Sequence, residues 1–182
     1  VIGHESFTEF WNGQYMNVII DLTPSDGHRL VYQTSPGWIA SMTDFWVTGG
    51  GLVVVETTMV GYEGYDTTKV PEYVRARNAC QFGNSIDEWV ELMDAGNNGG
   101  YANMWLIGDL KTNEIANYEQ GLVYQLLEKK TDGYYFGANA PTDPRIRNLE
   151  SSDTGWSDVR QQTGARRVRW PQLLAQYNGR ID

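Results

Sequence analysis

Few side chains in this sequence can do covalent or acid–base chemistry. There are two histidines, His4 and His28, and one cysteine, Cys80. A single cysteine excludes an internal disulfide framework and a thiolate zinc cage, and two histidines leave little for an imidazole metal site. No metal or cofactor is therefore expected. A serine triad needs a Ser, a His and a carboxylate brought together, and no Gly-x-Ser-x-Gly elbow is present. His28 follows Asp26-Gly27 and reads as a solvated turn residue. His4 stands beside Glu5 and Ser6 in an apparent strand, and by itself reads as structural. Cys80 has Arg77 nearby, which could activate a thiol. Its small apolar neighbours Ala76 and Ala79 at helical spacing make it a buried core thiol instead. Asp94 to Gly100 superficially resembles a calcium loop. Gly96 and Trp105 fall where an EF-hand needs an oxygen ligand and a glutamate, so the match fails. Chemistry must then run on few groups, or on groups outside this chain.

Two polar features stand out because their surroundings are apolar. Glu56-Thr57-Thr58 ends the run Leu52 to Val55, where a carboxylate and two hydroxyls serve as a cap, a sheet edge or a pocket lining. Asn103 interrupts an apolar strand; a buried amide must find partners or destabilise the fold, so it is either edge-facing or held for a task.

The elements that position these groups follow from pattern. Tyr15 to Leu22 and Arg29 to Gln33 read as strands around the turn Pro24 to Gly27. Phe45 to Thr48 and Leu52 to Thr58 flank a glycine loop, Gly49 to Gly51. Pro71 opens a helix through Cys80 that Gly83 ends. Ser85 and Glu88 form a capping box ahead of the apolar face Trp89, Val90, Leu92 and Met93. Strands resume at Tyr101 to Gly108, Glu114 to Glu119, Leu122 to Leu126 and, more briefly, Tyr134 to Gly137. Beyond Asp143 the chain turns polar, and Arg167 to Leu174 reads as a last helix. Its basic cluster, Arg166, Arg167 and Arg169 beside Trp170, is a solvated face or a docking surface for more of the chain.

The whole is 182 residues, 41% apolar, with 23 acidic against 14 basic side chains and a net charge of −9. Such a chain can bury a core, and its charge disfavours a phosphate backbone, so no nucleic acid partner is expected. No apolar run approaches the roughly 20 residues of a membrane-spanning helix. The ends, Val1-Ile2-Gly3-His4 and Asn178 to Asp182, read as cut from a longer sequence, and the compartment stays open.

In one order, the chain carries His4-Glu5-Ser6-Phe7, Ser35-Pro36-Gly37, Asp44-Phe45, Gly51 to Thr58, Tyr73 to Arg77 and Asn97 to Trp105. Over roughly residues 1–110 this resembles the phospholipase B-like proteins and their choloylglycine hydrolase-related kin, the N-terminal-nucleophile (Ntn) hydrolases. The resemblance implies an α+β fold, a four-layer αββα sandwich, of which residues 1–182 would be a single, partial catalytic domain. It also implies autoproteolysis that frees a Cys as the new N-terminus, with its amine as base and its thiolate as nucleophile. His4 would then lie near that nucleophile, Thr58 would line the pocket, and Asn103 or Asn97 would donate to the oxyanion. Phe7 stands where the family has a Trp in contact with substrate. The nucleophile would lie before Val1, so this chain alone is expected to show no turnover. The implied reaction is acyl transfer from a small acylated amide, as in an amidase, or, as runner-up, from an ester or lipid. The implied partner is the remainder of the precursor; separately, cut edges and exposed sheet favour association, with a homo-oligomer one form of it. A different class, a non-catalytic carbohydrate-binding β-sandwich, suits the many aromatics but not two consecutive helices.

Overall fold

The computed structural model of the protein describes residues 1–15 and 18–181. A short helix, α1 (Phe10–Tyr15), is followed by β1 (Val18–Leu22), β2 (Leu30–Thr34), β3 (Phe45–Thr48) and β4 (Leu52–Thr58). Two helices come next, α2 (Glu72–Phe82) and α3 (Ile86–Asp94), and then β5 (Asn103–Asp109), β6 (Glu114–Gln120) and β7 (Gln125–Lys130). The chain closes with α4 (Pro144–Leu149), a 3-10 turn at Gly155–Ser157 and α5 (Gln162–Tyr177). The seven strands form one antiparallel sheet in chain order. The β4–β5 neighbours pair although both helices lie between them in the chain.

Alternation along the strands decides where those helices go. Leu30 and Tyr32 of β2, Trp46 of β3, Leu52 and Val54 of β4, Trp105 and Ile107 of β5, and Tyr118 of β6 share one core. Against them pack Ala76, Ala79 and Cys80 from α2 and Ile86, Trp89 and Met93 from α3. Trp89 sits edge-on to Trp105 at 5.2 Å and to Tyr118 at 6.2 Å, arrangements that suit the ring quadrupoles. The other sheet face is covered at one end only, where Met104 meets Ile146 of α4, Met59 and Ala102. Elsewhere on it Val31, Val47 and Val53 lie side by side across three strands, and Val47 is exposed.

The glycine loop between β3 and β4 is required twice over. Gly51 has a φ of 84°, and a Cβ on Gly50 would stand 2.7 Å from the Gly83 carbonyl oxygen and 2.9 Å from the His28 ring. Only bare backbone lets this hairpin reach the α2–α3 junction.

The α+β expectation holds, with one sheet among the described residues. α2 and α3 form the helical layer that a β-sandwich would not have. Several expected elements differ. His4 lies in an irregular N-terminal segment rather than a strand, and α1 occupies Phe10–Tyr15. α1 buries no residue, so it has no apolar stripe to read in the sequence. The first strand was expected from Tyr15; Met16 and Asn17 lie outside the described residues, and β1 begins at Val18. Tyr134 to Gly137 form no strand, because nothing beyond β7 pairs with them, and β7 itself begins three residues later than Leu122. Ser85 does cap α3, its hydroxyl accepting from the Glu88 amide at 3.2 Å. The Glu88 carboxylate, however, takes the Asn84 amide at 2.9 Å rather than completing a reciprocal box with Ser85. The final helix is longer than Arg167 to Leu174 and accommodates Pro171. Its arginines are not a bare solvated face. Arg167 donates to the Trp156 carbonyl at 2.8 Å, and Arg166 bonds the Asn139 side chain.

Trp89→Ala is expected to lose about 3–5 kcal/mol of stability by leaving a cavity at the helix–sheet seam. Ser85→Ala should lose about 1 kcal/mol. Urea denaturation reads both as lowered midpoints with an unchanged slope.

Candidate functional site

The polar residues that interrupt apolar strands converge. In the β4–β5 register Glu56 stands opposite Trp105, and Thr58 opposite Asn103. Cross-strand partners share a face, so Glu56, Thr58 and Asn103 point with Val54 and Trp105 toward the helical layer. There Glu56 is 3% exposed and Asn103 fully buried.

Their contacts form one network. Tyr101 donates its hydroxyl to Glu56 Oε1 at 2.9 Å. Thr58 Oγ1 lies 3.2 Å from the same oxygen and 2.6 Å from the Tyr101 hydroxyl. One orientation of the Asn103 amide satisfies its neighbours: the nitrogen donates to Ala102 O at 2.8 Å and to Glu56 Oε2 at 3.0 Å. His4 Nε2 meets the Glu56 carbonyl oxygen at 2.8 Å. A carbonyl only accepts, so Nε2 carries a proton. Ser6, bonded to the Thr43 carbonyl at 3.1 Å, anchors this N-terminal segment beside β3.

A second carboxyl faces the first. Asp44, just ahead of β3, accepts the Glu56 amide on its carbonyl at 3.0 Å, and the two side-chain carboxyls line the same small cavity. Its φ of 63° is left-handed, a conformation sparsely used outside glycine and concentrated at functional sites. Burial, then the Asp44 charge and hydrogen bond, push the Glu56 carboxyl well above its ordinary range. Burial also raises Asp44, while the contacts with Glu56 and His4 pull it back down. Glu72, on the α2 turn above, is pushed up to about 7 by burial, with Arg75 opposing. Arg75, itself buried, donates from Nη1 to Gln120 Oε1 at 2.8 Å. Gln120 is the β6 partner of Asn103, so this row continues across the sheet.

The carboxyls and Tyr101 bound an enclosed cavity of about 30 Å3, walled also by Ser41, Trp46 and Trp105. That is room for one water and far below the roughly 300 Å3 at which ligand pockets begin. It is a compartment behind the site, and a substrate must lie outside it. A larger open groove, about 440 Å3, is lined by Tyr62, Leu122, Val123 and Leu149. Its backbone is braced by the Glu150 carboxylate, which accepts the amides of Leu122, Val123 and Tyr124.

Of the residues singled out from the sequence, His4, Thr58 and Asn103 meet around Glu56. Asn97 does not join them: its amide bonds the Gly121 carbonyl at 2.7 Å and accepts the Gly99 amide at 2.9 Å, bracing the loop into β5. Phe7 is 85% exposed in the N-terminal segment. Cys80 is wholly buried, receives the Trp89 indole N–H at 3.3 Å, and is pushed by burial up to about 12. His28 pairs with Asn84 at 3.0 Å near the glycine loop. Sequence reasoning did not pick out Asp44, Tyr101 or Glu72 as site residues, and it left Glu56 between cap and pocket. The phase of β4 carried a signal for Glu56, because Leu52, Val54 and Glu56 alternate inward together. Nothing local marks the other three. Among the described residues no group of three or more His, Cys, Asp or Glu side chains is placed to hold a metal ion, and no helix is long and apolar enough to cross a membrane.

The fold and this cluster define an α+β protein with a buried acid and amide at the ends of its central strands. The sequence profile of the phospholipase B family matches residues 1–159, and the chain belongs to that family. It is 29% identical to phospholipase B of Crotalus adamanteus over 154 residues, which are 75% of this chain and 27% of that one. It is 27% identical to human phospholipase B-like 1 over 148 residues, 71% of this chain and 27% of the relative. Phospholipase B-like protein G of Dictyostelium discoideum is 33% identical over 94 residues, 49% of this chain and 16% of its own length. The chain therefore spans roughly a quarter or less of these relatives.

Two outcomes follow. The folded state binds a proton at Glu72 more tightly than the unfolded chain, whose carboxyl titrates near 4.5. That stabilisation is complete below the unfolded value and is lost as pH rises through about 7. Urea midpoints should fall between about pH 5 and pH 8, and Glu72→Gln should remove part of that fall. Cys80 should resist alkylation by iodoacetamide in the native protein and react once unfolded.

Proposed function

We propose that these residues form part of the catalytic domain of an Ntn-type acyl hydrolase, in which His4, Thr58 and Asn103 surround the reacting carbonyl. The attacking atom would be a Cys thiolate freed at a new N-terminus by self-cleavage and contributed from outside these 182 residues. The convergence of Asn103, Thr58 and His4 on Glu56 carries this reading. Three residues far apart in the chain, each with a role the family resemblance implies, meet at one place. The reading is in keeping with Cys80 being wholly buried and so out of reach of a substrate.

In this reading the Cys amine takes the thiol proton, the thiolate adds to the carbonyl carbon, and charge develops on the carbonyl oxygen. The Asn103 amide and the Thr58 hydroxyl, at the strand ends, would exchange their present partners to donate to that charge. Collapse expels the amine or alcohol, and water then releases the acyl group from sulfur. The uncovered stripe Val31, Val47 and Val53 is where a second sheet would pack in the four-layer αββα sandwich. Phe7 and the other exposed aromatics of the N-terminal segment would then meet substrate or the rest of the precursor. The bond cut is an acyl amide. A lipid ester is the second reading, favoured by the names of the relatives, since a thiolate acyl-transfer site accepts either.

N-terminal sequencing of the mature protein made from the complete reading frame tests this. A chain beginning with Cys shortly before Val1 is the expected result; an unprocessed chain with no nucleophile there overturns the proposal. In the processed protein Asn103→Ala should lower kcat by about 10²–10³-fold. The 182-residue chain alone should show no turnover of acyl amides.

A further inference from the structure

The Asn103 amide presents a conflict that the acyl-transfer reading does not resolve. Both of its hydrogens are engaged, one by Ala102 O at 2.8 Å and one by Glu56 Oε2 at 3.0 Å. An amide so engaged cannot also donate to a substrate oxyanion. One of the two bonds must yield, and the Glu56 bond is the one whose strength depends on charge. A carboxylate holds an N–H about twice as strongly as a neutral acceptor does.

Glu56 does not carry that charge independently. Its carboxyl and that of Asp44 line one cavity of about 30 Å3, and two acids confined so closely, with no cation paired to either among the described residues, disfavour ionising together. The surrounding structure maintains the arrangement. Asp44 is fixed in a left-handed conformation, its carbonyl pinned by the Glu56 amide at 3.0 Å. Tyr101 and Thr58 occupy Glu56 Oε1, and no cation lies within ion-pair distance of either carboxyl among the described residues. The groups that face the pair are His4 from the N-terminal segment, Glu72 from α2 and Tyr101 from the loop before β5. Arg75 stands behind Glu72 and opposes its effect.

We propose that Asp44 and Glu56 share one proton, and that this pair is a positioning device deciding whether the Asn103 amide is captured by Glu56 or released to the substrate. With the proton in place Glu56 is a weak acceptor, and Asn103 exchanges that bond for the oxyanion as negative charge develops. With the proton gone, Glu56 is a full carboxylate that keeps the amide and also places a negative charge beside the developing one. Both consequences reduce turnover. Activity therefore falls on the alkaline side as the pair loses its proton, and the fall appears in kcat more than in KM.

This rests on the reading of Asn103 as an oxyanion donor, and the experiment separates the two. In the processed full-length protein, kcat and KM are measured against pH for the wild type, Glu56→Gln, Glu56→Ala, Asp44→Asn and Asn103→Ala. Glu56→Gln is neutral at every pH. It should lose less than about tenfold in kcat and abolish the alkaline fall, because nothing at position 56 then titrates. Glu56→Ala leaves the amide unpositioned and should lose about 10²-fold in kcat with KM within about threefold. Asp44→Asn removes the acid that raises Glu56 and should move the alkaline fall to lower pH; a fall that stays where the wild type has it counts against the shared proton. An alkaline limb in Glu56→Gln identical to the wild type overturns the inference, even where Asn103→Ala is inactive. Full activity in Asn103→Ala instead overturns the acyl-transfer reading beneath it. Glu56→Gln preserves shape and, with its oxygen in the place of Oε1, the Tyr101 and Thr58 bonds, while its NH2 cannot accept from Asn103; the test therefore survives if Glu56→Ala fails to fold.

Discussion

The pairing of β4 with β5 is the constraint from which the rest follows. Residues Leu52 to Thr58 lie antiparallel to Asn103 to Asp109, with two helices between them in the chain. Closing such a connection costs entropy that grows only slowly with its length, and the helices offset it by burying Trp89, Met93 and Ala79 against the paired strands. Once the register is set, strand alternation leaves no freedom. Glu56, Thr58 and Asn103 must face the helical layer together, because a one-residue slip would turn Val54, Trp105 and Ile107 outward.

Buried and half-buried carboxylates in this protein do two different jobs. Glu119 accepts the backbone amides of Thr142 and Asp143 at 3.0 and 2.9 Å, and so ties the chain before α4 to β6. Glu150 accepts three successive amides at the β6–β7 turn. Both meet N–H donors, which satisfy their oxygens and order a loop. Glu56 meets hydroxyls, an amide and another carboxyl. That environment orders no loop; in the proposed pair it holds a proton beside His4.

Much of the architecture was legible locally. Phe45 to Thr48 and Leu52 to Thr58 alternate about a glycine loop, and Ser85 marks a helix start, because hairpins and caps are decided within a few residues. The N-terminal helix was not legible, since α1 buries nothing and carries Gly13. Tyr134 to Gly137 have strand composition without a partner to pair with, and aromatic and β-branched content reports fitness for a sheet rather than membership of one. The arginines of the last helix looked like a solvated cluster because their partners, Trp156 and Asn139, lie outside that helix.

The sequence by itself determined that Asn103 and Glu56 are polar groups in apolar strands, that Cys80 sits among small core residues, and that His4 is one of only two imidazoles. Composition and period 2 suffice for that, being properties of neighbours in the chain. Only the tertiary structure decided that His4 reaches the Glu56 carbonyl and that Asp44 and Glu72 bring two further acids to the same cavity. It also decided that Asn97 braces a loop while Asn103 joins the cluster. The physical reason is that a carboxyl's protonation and an amide's orientation are set by partners within a few ångströms. Those partners come from the N-terminal segment, the loop before β3, α2 and β5, segments that meet only when the sheet closes.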